Sequence, residues 1–531
     1  MTLINLKRFI PIGFLAVLSS SAVAQAEGQF LGWPEGQTLP SFAAPADTLE
    51  YLDLEKSHED ERNLLTSLAG LVNRVQPRIY TISGNPDEGK LTWLKNAALA
   101  YRKVADPYSL IVKYRGSAKG LVITDPQQPA TLNLATTIAG LEDLLVVSPS
   151  LAVKLNAAPY NLPTRQDLRG QFRSSLQVYQ TLYRKYWPRA THRLLVGLDP
   201  ATSGFLRDYA VATRAAVVWL NARDPIENGL LRLFLRDLPA SAPYLGWFPY
   251  AEGGGEQVGV DQLSSFGLVA VASNYSENLT VFGGQNRTIQ VRPAPTKPAL
   301  ENKIYLTLMI SEGDNIQYDQ HYLRKLWDDP KRGKIPIGWT ISPLLRDAAP
   351  ALLNYYYASA SDNDTLISGP SGAGYAYPNA MPSEQLDTYT SRTDQYMGAT
   401  GLEVITLWQT NSGVPSNETG QAYARHSTHI LGITNQISSG LRWYDQLANF
   451  GLNASYVESA FQLDNAFRLG GSGFDGKAPR FVGVQGLAWK VSPTVLYDAW
   501  RPYAKDSRYV LVRPDHFFLL LQEAKKSGVI K

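Results

Sequence analysis

Val291-Arg292-Pro293-Ala294-Pro295-Thr296-Lys297-Pro298, followed closely by Lys303-Ile304-Tyr305-Leu306-Thr307-Leu308-Met309-Ile310-Ser311-Glu312-Gly313-Asp314-Asn315, divides the chain and sets the pattern of its second half. Prolines this dense continue neither a helix nor a central strand, because each lacks the N–H that a ladder needs. Lys303 to Ile310 reads as a strong strand that ends in a polar, carboxylate-bearing cluster. A domain boundary is therefore expected near residue 298. Beyond it the strand-then-loop unit recurs, at Ile304–Ile310, Pro336–Ile341, Thr365–Ser368, Val404–Trp408, Ile430–Ile433, Phe481–Gln485 and Tyr509–Val512. Helical stretches such as Leu344 to Ser359, Ser383 to Gly398 and Val491 to Tyr503 separate several of them. About seven or eight βα units in roughly 230 residues predict a (β/α) TIM-barrel-like domain over 299–531, with an open parallel sheet as the competing architecture.

Residues 27–298 read as an N-terminal α/β layered domain. Ser57 to Val75 sets Leu64, Leu65, Leu68 and Leu71 on one helical face. The short apolar strands Leu121–Thr124, Leu144–Val147, Leu194–Leu198 and Ala216–Trp219 alternate with periodic stretches such as Gln171 to Tyr186. At the start, Lys7 and Arg8 precede an apolar run from Phe9 to Leu18, and then Ala22-Val23-Ala24-Gln25-Ala26. This is the order of a secretory signal peptide over residues 1–26. The apolar run is short of the roughly 20 residues a span needs. An exported protein, periplasmic or secreted and without a membrane span after cleavage, is the expectation.

At 531 residues, 44% hydrophobic and 18% charged, the chain is long enough for several domains with a real core. Lys and Arg (50) nearly balance Asp and Glu (47), and the net charge of +3 gives no field for nucleic acid or an anionic membrane. The absence of cysteine removes disulfides, thiolate metal sites and a cysteine nucleophile. No cofactor is predicted: there is no P-loop or G-x-S-x-G elbow. The formal GxGxxG of Gly471 to Gly476 lacks the preceding strand and following helix of a dinucleotide site. His426 and His429, three apart, have no acidic residue near in sequence to complete a zinc motif, so no metal is expected.

In a barrel or open parallel sheet, reactive residues follow the carboxyl ends of the strands. Those positions hold Glu312 and Asp314, then Gln409, Thr410 and Asn411, then Gln485, and finally Arg513-Pro514-Asp515-His516. Mixed with Trp339, Trp408, Tyr375 and Tyr377, they suit a polyhydroxylated ligand, because aromatic faces stack on sugar rings and planar polar groups satisfy hydroxyls. Glu312 and Asp314 point to one side if strand geometry continues past Ile310; alternatively Asp314 caps the next helix. Asp515 follows the last strand, which in a closed barrel neighbours the first, and so is expected beside Glu312 and Asp314. It too is a candidate helix cap. The catalytic expectation is Glu312 as acid with Asp314 or Asp515 as base or nucleophile, and Asp475 as a reserve acid. The expected substrate contacts are Tyr375, Tyr377, Trp339, Trp408, Gln409, Asn411, Gln485 and Arg513.

Gly372-Ala373-Gly374-Tyr375-Ala376-Tyr377-Pro378 matches the GxGYxYP signature at every specified position. The preceding Ser368-Gly369-Pro370-Ser371, the segment Ser67 to Arg74 with Pro77, and Ser311 to Asn315 are also similar to that family. The chain thus resembles the GxGYxYP family, labelled "putative glycoside hydrolases", over nearly its whole mature length. The resemblance implies two domains, the second barrel-like, and hydrolysis of O-glycosyl bonds in an oligo- or polysaccharide. Physically, Gly372 and Gly374 permit positive φ and Pro378 stiffens the exit, so the loop fixes Tyr375 and Tyr377 either at a site or in a structural turn. Two other functions stay open: a non-catalytic carbohydrate-binding protein, and a structural protein of the envelope.

Overall fold

The computed structural model describes residues 31–84, 91–251, 254–409 and 413–530. The expected leader, Thr410 and Asn411 lie outside them. The fold is mixed α/β, built on parallel sheets. In the N-terminal half, β1 (Thr48–Asp53), β2 (Ile79–Ile82) and β3 (Ala100–Lys103) form one sheet in the order β2-β1-β3. A second comprises β4 (Gly120–Ile123), β5 (Leu144–Val147) and β6 (Thr164–Asp167), in the order β5-β4-β6. The third joins β7 (Leu195–Gly197), β8 (Val217–Val218), β9 (Pro243–Gly246) and β10 (Val269–Ala272), in the order β10-β9-β7-β8. Strands such as Leu144-Leu145-Val146-Val147 and Val269-Ala270-Val271-Ala272 are buried at every position. This is the continuous apolar character of parallel strands covered on both faces. Where the sequence suggests one layered domain, the chain therefore makes three small sheets.

The second half is one large sheet. Its strands are β11 (Ile304–Ser311), β12 (Ile337–Ile341), β13 (Asp364–Ser368), β14 (Val404–Leu407), β15 (Gly432–Asn435), β16 (Leu441–Tyr444), β17 (Leu447–Gly451), β18 (Ala454–Val457), β19 (Arg480–Leu487) and β20 (Tyr509–Val512). They run in the order β16-β17-β15-β14-β13-β12-β11-β19-β18, with β20 on β11, and all pairs are parallel except β16–β17. The sheet curls into a half-barrel. Among the described residues no pairing joins β16 to β18, so the closed TIM barrel expected from the unit count does not form.

The side-chain alternation of β11 explains what fills the curl. Leu306, Leu308 and Ile310 enter the core under the outer helices. Tyr305 and Met309 face the other way, onto Phe517, Phe518, Leu520 and Leu521 of the C-terminal helix Pro514–Lys526. That helix occupies the inner face. A strand has two edges, and β19 takes one edge of β11 along its full length, Ile304 to Ser311. The other edge is shared: β20 pairs with Ile304–Thr307 and β12 with Met309 and Ile310.

The proline-dense stretch 290–302 contains no helix or strand. One buried cluster nevertheless runs across it, joining Leu49, Tyr51, Val196, Leu245 and Val269 to Ile304, Leu306, Leu308 and Ile310. The two halves are distinct in topology and share a core. No helix of the described residues is long and apolar enough to cross a membrane.

Candidate active site

At the carboxyl end of β11 the chain turns through Glu312-Gly313-Asp314 into the short helix Asn315–Gln320. Amide side chains of this helix hold the turn against the exit of β10. Asn315 Oδ1 accepts from the Ala272 N–H (3.3 Å), Gln317 Oε1 from that of Tyr275 (3.1 Å), and Gln320 Oε1 from that of Glu277 (2.9 Å). Gln320 returns a bond from its NH₂ to the Glu277 carbonyl (2.9 Å). Within the turn, the Asp314 N–H donates to the Glu312 carboxylate, and Gln317 Nε2 donates to Asp314 Oδ2 (3.1 Å). Asp314 occupies the helix N-cap position, yet its side chain makes no cap bond.

The signature loop is a clasp between the same two sheets. Tyr375 makes an antiparallel bridge with Ala270 of β10, both N–H···O distances being 2.8 Å. Gly374 has φ of +106°, and a Cβ there would stand 2.6 Å from Val269 Cγ2, so the strand approach requires glycine. The Tyr377 N–H donates to Ser264 Oγ (2.9 Å) and the Tyr389 hydroxyl to the Gly374 carbonyl (2.8 Å). Gly313 fits between two rings: a Cβ there would lie 3.3 Å from Trp408 and 3.5 Å from Tyr375. The carboxylate turn and the signature tyrosine are thereby in contact.

The clasp brings in a carboxylate from the other half of the chain. Glu256, in the first turn of the helix Gly255–Ser265, accepts a hydrogen bond from the Tyr375 hydroxyl (3.1 Å), which also meets the Tyr377 hydroxyl (3.0 Å). Burial and then the charge of Asp314 push the Glu256 carboxyl up to about 7, against the opposing Tyr375 bond. Burial, and after it the charges of Asp314 and Asp319, hold Glu312 well above the carboxylate range. Asp314 is itself raised by burial, with the Gln317 bond opposing. Carboxyls this strongly coupled do not all ionise together. All three are held above their ordinary values, Glu256 at about 7.

A stability consequence follows for Glu312, which is buried to 2% exposure. Its folded-state pKa lies above its unfolded value, so the unfolded chain releases a proton that the fold retains, and stability falls as pH rises above about 4.5. Glu312→Gln removes that slope while keeping an acceptor for the Asp314 N–H. The variant is expected to gain stability over the parent at pH 8 and not at pH 4. Thermal unfolding across that range checks this; an equal effect at both pH values would contradict it.

Beside the cluster lies a cleft of about 290 Å³ lined by Gln257, Tyr377, Trp408, Gln409, Gln436 and Tyr456 among others; Tyr377 and Trp408 connect the two, and Glu256, Glu312 and Asp314 do not line it. Trp408 stands edge-on to Tyr375 (5.4 Å between centroids) and tilted to Tyr456 (5.7 Å), and its indole N–H is buried without a partner. Of the residues expected from sequence, Tyr377, Trp408 and Gln409 line this cleft, and Glu312, Asp314 and the buried Tyr375 lie in the cluster beside it. Gln409 also exchanges two bonds with Asn379, at 3.0 and 3.2 Å.

The others do not join them. Trp339 shares the outer face of β12 with Ile337 and Ile341 in the core, T-shaped on Trp327 and donating to Asp364 Oδ1 (2.9 Å). Gln485 is buried in β19 opposite Met309. Asp515 is held by Arg513 through contacts of 2.8 to 3.2 Å, and Arg513 donates to the Asp362 and Asp364 carbonyls at the start of β13. Asp515 therefore sits at the end of the sheet opposite Glu312. The adjacency of β20 to β11 does not bring it closer, because β20 pairs with only the first half of β11. Asp475 is exposed, paired with Lys477 (3.4 Å) in the loop before β19, again at the far end. The two histidines do have acidic partners in space: His426 meets Asp387 and His429 meets Asp394, each at 3.0 Å. These remain separate pairs, and among the described residues no three His, Cys, Asp or Glu groups converge as metal ligands.

These features define a class: a multi-sheet α/β protein whose third small sheet and large sheet meet at their carboxyl ends around a carboxylate–tyrosine cluster. The chain belongs to the GxGYxYP family. Models described as its first, second and third N-terminal domains match residues 48–116, 118–190 and 192–284, one to each small sheet. "GxGYxYP putative glycoside hydrolase C-terminal domain" matches 302–522. The fold is similar to the crystal structure of a "putative hydrolase" from Bacteroides thetaiotaomicron, at 22% identity and a TM-score of 0.79, covering 91% of this chain and 96% of that one. A family 4 carbohydrate esterase from Streptomyces lividans, in complex with acetate, is 10% identical over 40% of this chain and 93% of its own, and its TM-score of 0.25 carries no structural argument. No curated protein matches the chain.

Proposed function

We propose that the protein is a glycoside hydrolase cleaving O-glycosyl bonds of an oligo- or polysaccharide, with Glu256 as general acid and Asp314 as the ionised carboxylate. The reading is supported by the Glu256–Tyr375 bond beside the Glu312-Gly313-Asp314 turn, which groups carboxyls next to an aromatic cleft, with Glu256 pushed up to about 7. Glycoside hydrolysis needs a pair of them: one carboxyl protonates the departing oxygen, and the other activates water or attacks the anomeric carbon. Tyr375 positions Glu256 and stabilises its charge once the proton has left. Glu312, nearly closed off from the cleft, becomes a positioning residue rather than the acid. Tyr456, 45% exposed, offers a ring on which a sugar stacks, and the buried Tyr377 and Trp408 form the cleft wall beside it. The membership of the family described as glycoside hydrolases supports the substrate class, and the leader pattern of residues 1–26 supports export to the periplasm or beyond.

Release of reducing ends from a broad glycan panel tests this reading, together with the same assay on Asp314→Asn. The parent is expected to act on at least one glycan, with activity falling above about pH 7 as Glu256 loses its proton. Asp314→Asn should bind that glycan and not turn it over. Turnover by Asp314→Asn at the parental rate would refute the assignment.

A further inference from the structure

We propose that the cleft continues as an extended glycan groove over β18 and the helix Ala460–Gly471, with Tyr456 and Phe461 as platforms for sugar units beyond those at the carboxylates. This rests on the hydrolase reading for the ligand class and goes beyond it by fixing ligand length: an oligosaccharide of several units, not a mono- or disaccharide.

The continuity is geometric. Ser455 and Tyr456 line the cleft beside the carboxylate cluster and also a second hollow of about 440 Å³ that runs past Asn453 to Phe461, Asn465 and Leu469. Each hollow is of the order of a small-ligand site, and end to end they make a groove. Tyr456 is the hinge between them, and the backbone is bent to place it there. Between Ala454↔Val484 and Val457↔Gly486, β18 carries one residue more than β19, a bulge of the kind that re-aims a side chain. Tyr456 sits in that bulge at φ of +52°, a conformation that a bulky residue holds only where the surroundings impose it. Its ring leans on Trp408.

The chemistry of the lining favours a neutral polyhydroxylated chain. None of the described side chains lining either hollow is charged. The amide oxygens of Asn453, Gln462 and Asn465 accept bonds from the Gly483 N–H (2.9 Å), the Glu458 N–H (2.6 Å) and Arg468 (2.7 Å). Their NH₂ groups are the donors left to serve sugar hydroxyls. The helix Ala460–Gly471 buries Leu463, Ala466 and Phe467, and turns out Phe461 at 81% exposure. An exposed ring beside amide donors is the pairing that sugar faces and edges require.

The test uses Glu256→Gln protein, in which cleavage is slowed, titrated with hexaoses and disaccharides of β-1,4-linked glucose, xylose, mannose and N-acetylglucosamine and of α-1,4-linked glucose. The recognised hexaose is expected to bind at least tenfold more tightly than its disaccharide. Adding Phe461→Ala should weaken the hexaose roughly tenfold, about 1.4 kcal/mol, and leave the disaccharide unchanged, while Phe461→Trp restores hexaose binding. Equal affinity for both lengths, no effect of Phe461→Ala, or no hexaose bound would overturn the groove. Reducing-end release by the wild type separates this from the hydrolase reading. Length-dependent binding without cleavage removes that reading and leaves the groove; cleavage without length dependence does the reverse.

Discussion

Replacing Glu256 by Gln is expected to lower turnover of an unactivated glycan by about 10²–10⁴-fold, the usual contribution of a general acid, with the fold intact. Gln keeps the acceptor that Tyr375 addresses at 3.1 Å and removes only the transferable proton. The chemistry also predicts which substrates escape the defect. A dinitrophenyl glycoside of the same sugar has a leaving group that departs without protonation, so Glu256→Gln should cleave its glycosidic bond nearly as fast as the parent. Steady-state and burst kinetics on both substrates check this. An equal fall on both would mean that Glu256 contributes something other than the proton.

Gly374→Ala is expected to cause a large loss of stability. The φ of +106° disfavours any side chain, and the new Cβ would meet Val269 at 2.6 Å from Cγ2 and 2.8 Å from Cβ. Strain and overpacking each cost about 1–3 kcal/mol, and both act where Tyr375 bridges Ala270. The damage should therefore reach the site: the β10 contact, the Tyr375 ring and its bond to Glu256 move together. Gly229→Ala is the control, since a Cβ there meets nothing within 4 Å and the residue lies within the helix Pro225–Leu235. It is expected to be neutral or stabilising by up to about 1 kcal/mol. Thermal unfolding of the two variants that shows equal shifts would contradict the clasp.

Much of this site is legible in the amino-acid sequence. The run Ile304 to Ile310 with Glu312 and Asp314 behind it carries a strand, its end and its acids in one stretch, and the signature carries the tyrosines. Glu256 is harder to reach, because its place depends on docking two sheets whose contacting residues lie 119 positions apart. A signal exists nonetheless: Gly254-Gly255-Glu256 opens the helix that follows β9, which places a carboxylate in the segment beyond the carboxyl end of a parallel strand. The strand-end rule that picks out Glu312 applies equally to this first half of the chain. Trp339 has the composition of a sugar platform, but strand alternation with Ile337 and Ile341 sends it into the core. Asp515 fails for a different reason: order around a sheet says which strands are neighbours and not how far along they pair. The barrel expectation misses β16 to β18 because Leu441-Arg442-Trp443-Tyr444 and Ala454-Ser455-Tyr456-Val457 are short and mixed in polarity. Those strands form one edge hairpin and the bulged strand that carries Tyr456.

The protonation of Glu256 at neutral pH, imposed by burial and by Asp314, is the claim on which acid catalysis at this cleft depends. It is measured most directly by titrating ¹³C-labelled glutamate carboxyls by NMR, with the Glu256 signal assigned from its loss in Glu256→Gln. The account predicts a midpoint near 7 in the parent and a lower one in Asp314→Asn, where the neighbouring charge is gone. A Glu256 carboxyl that titrates at its ordinary value of 4.5 in both proteins would contradict it.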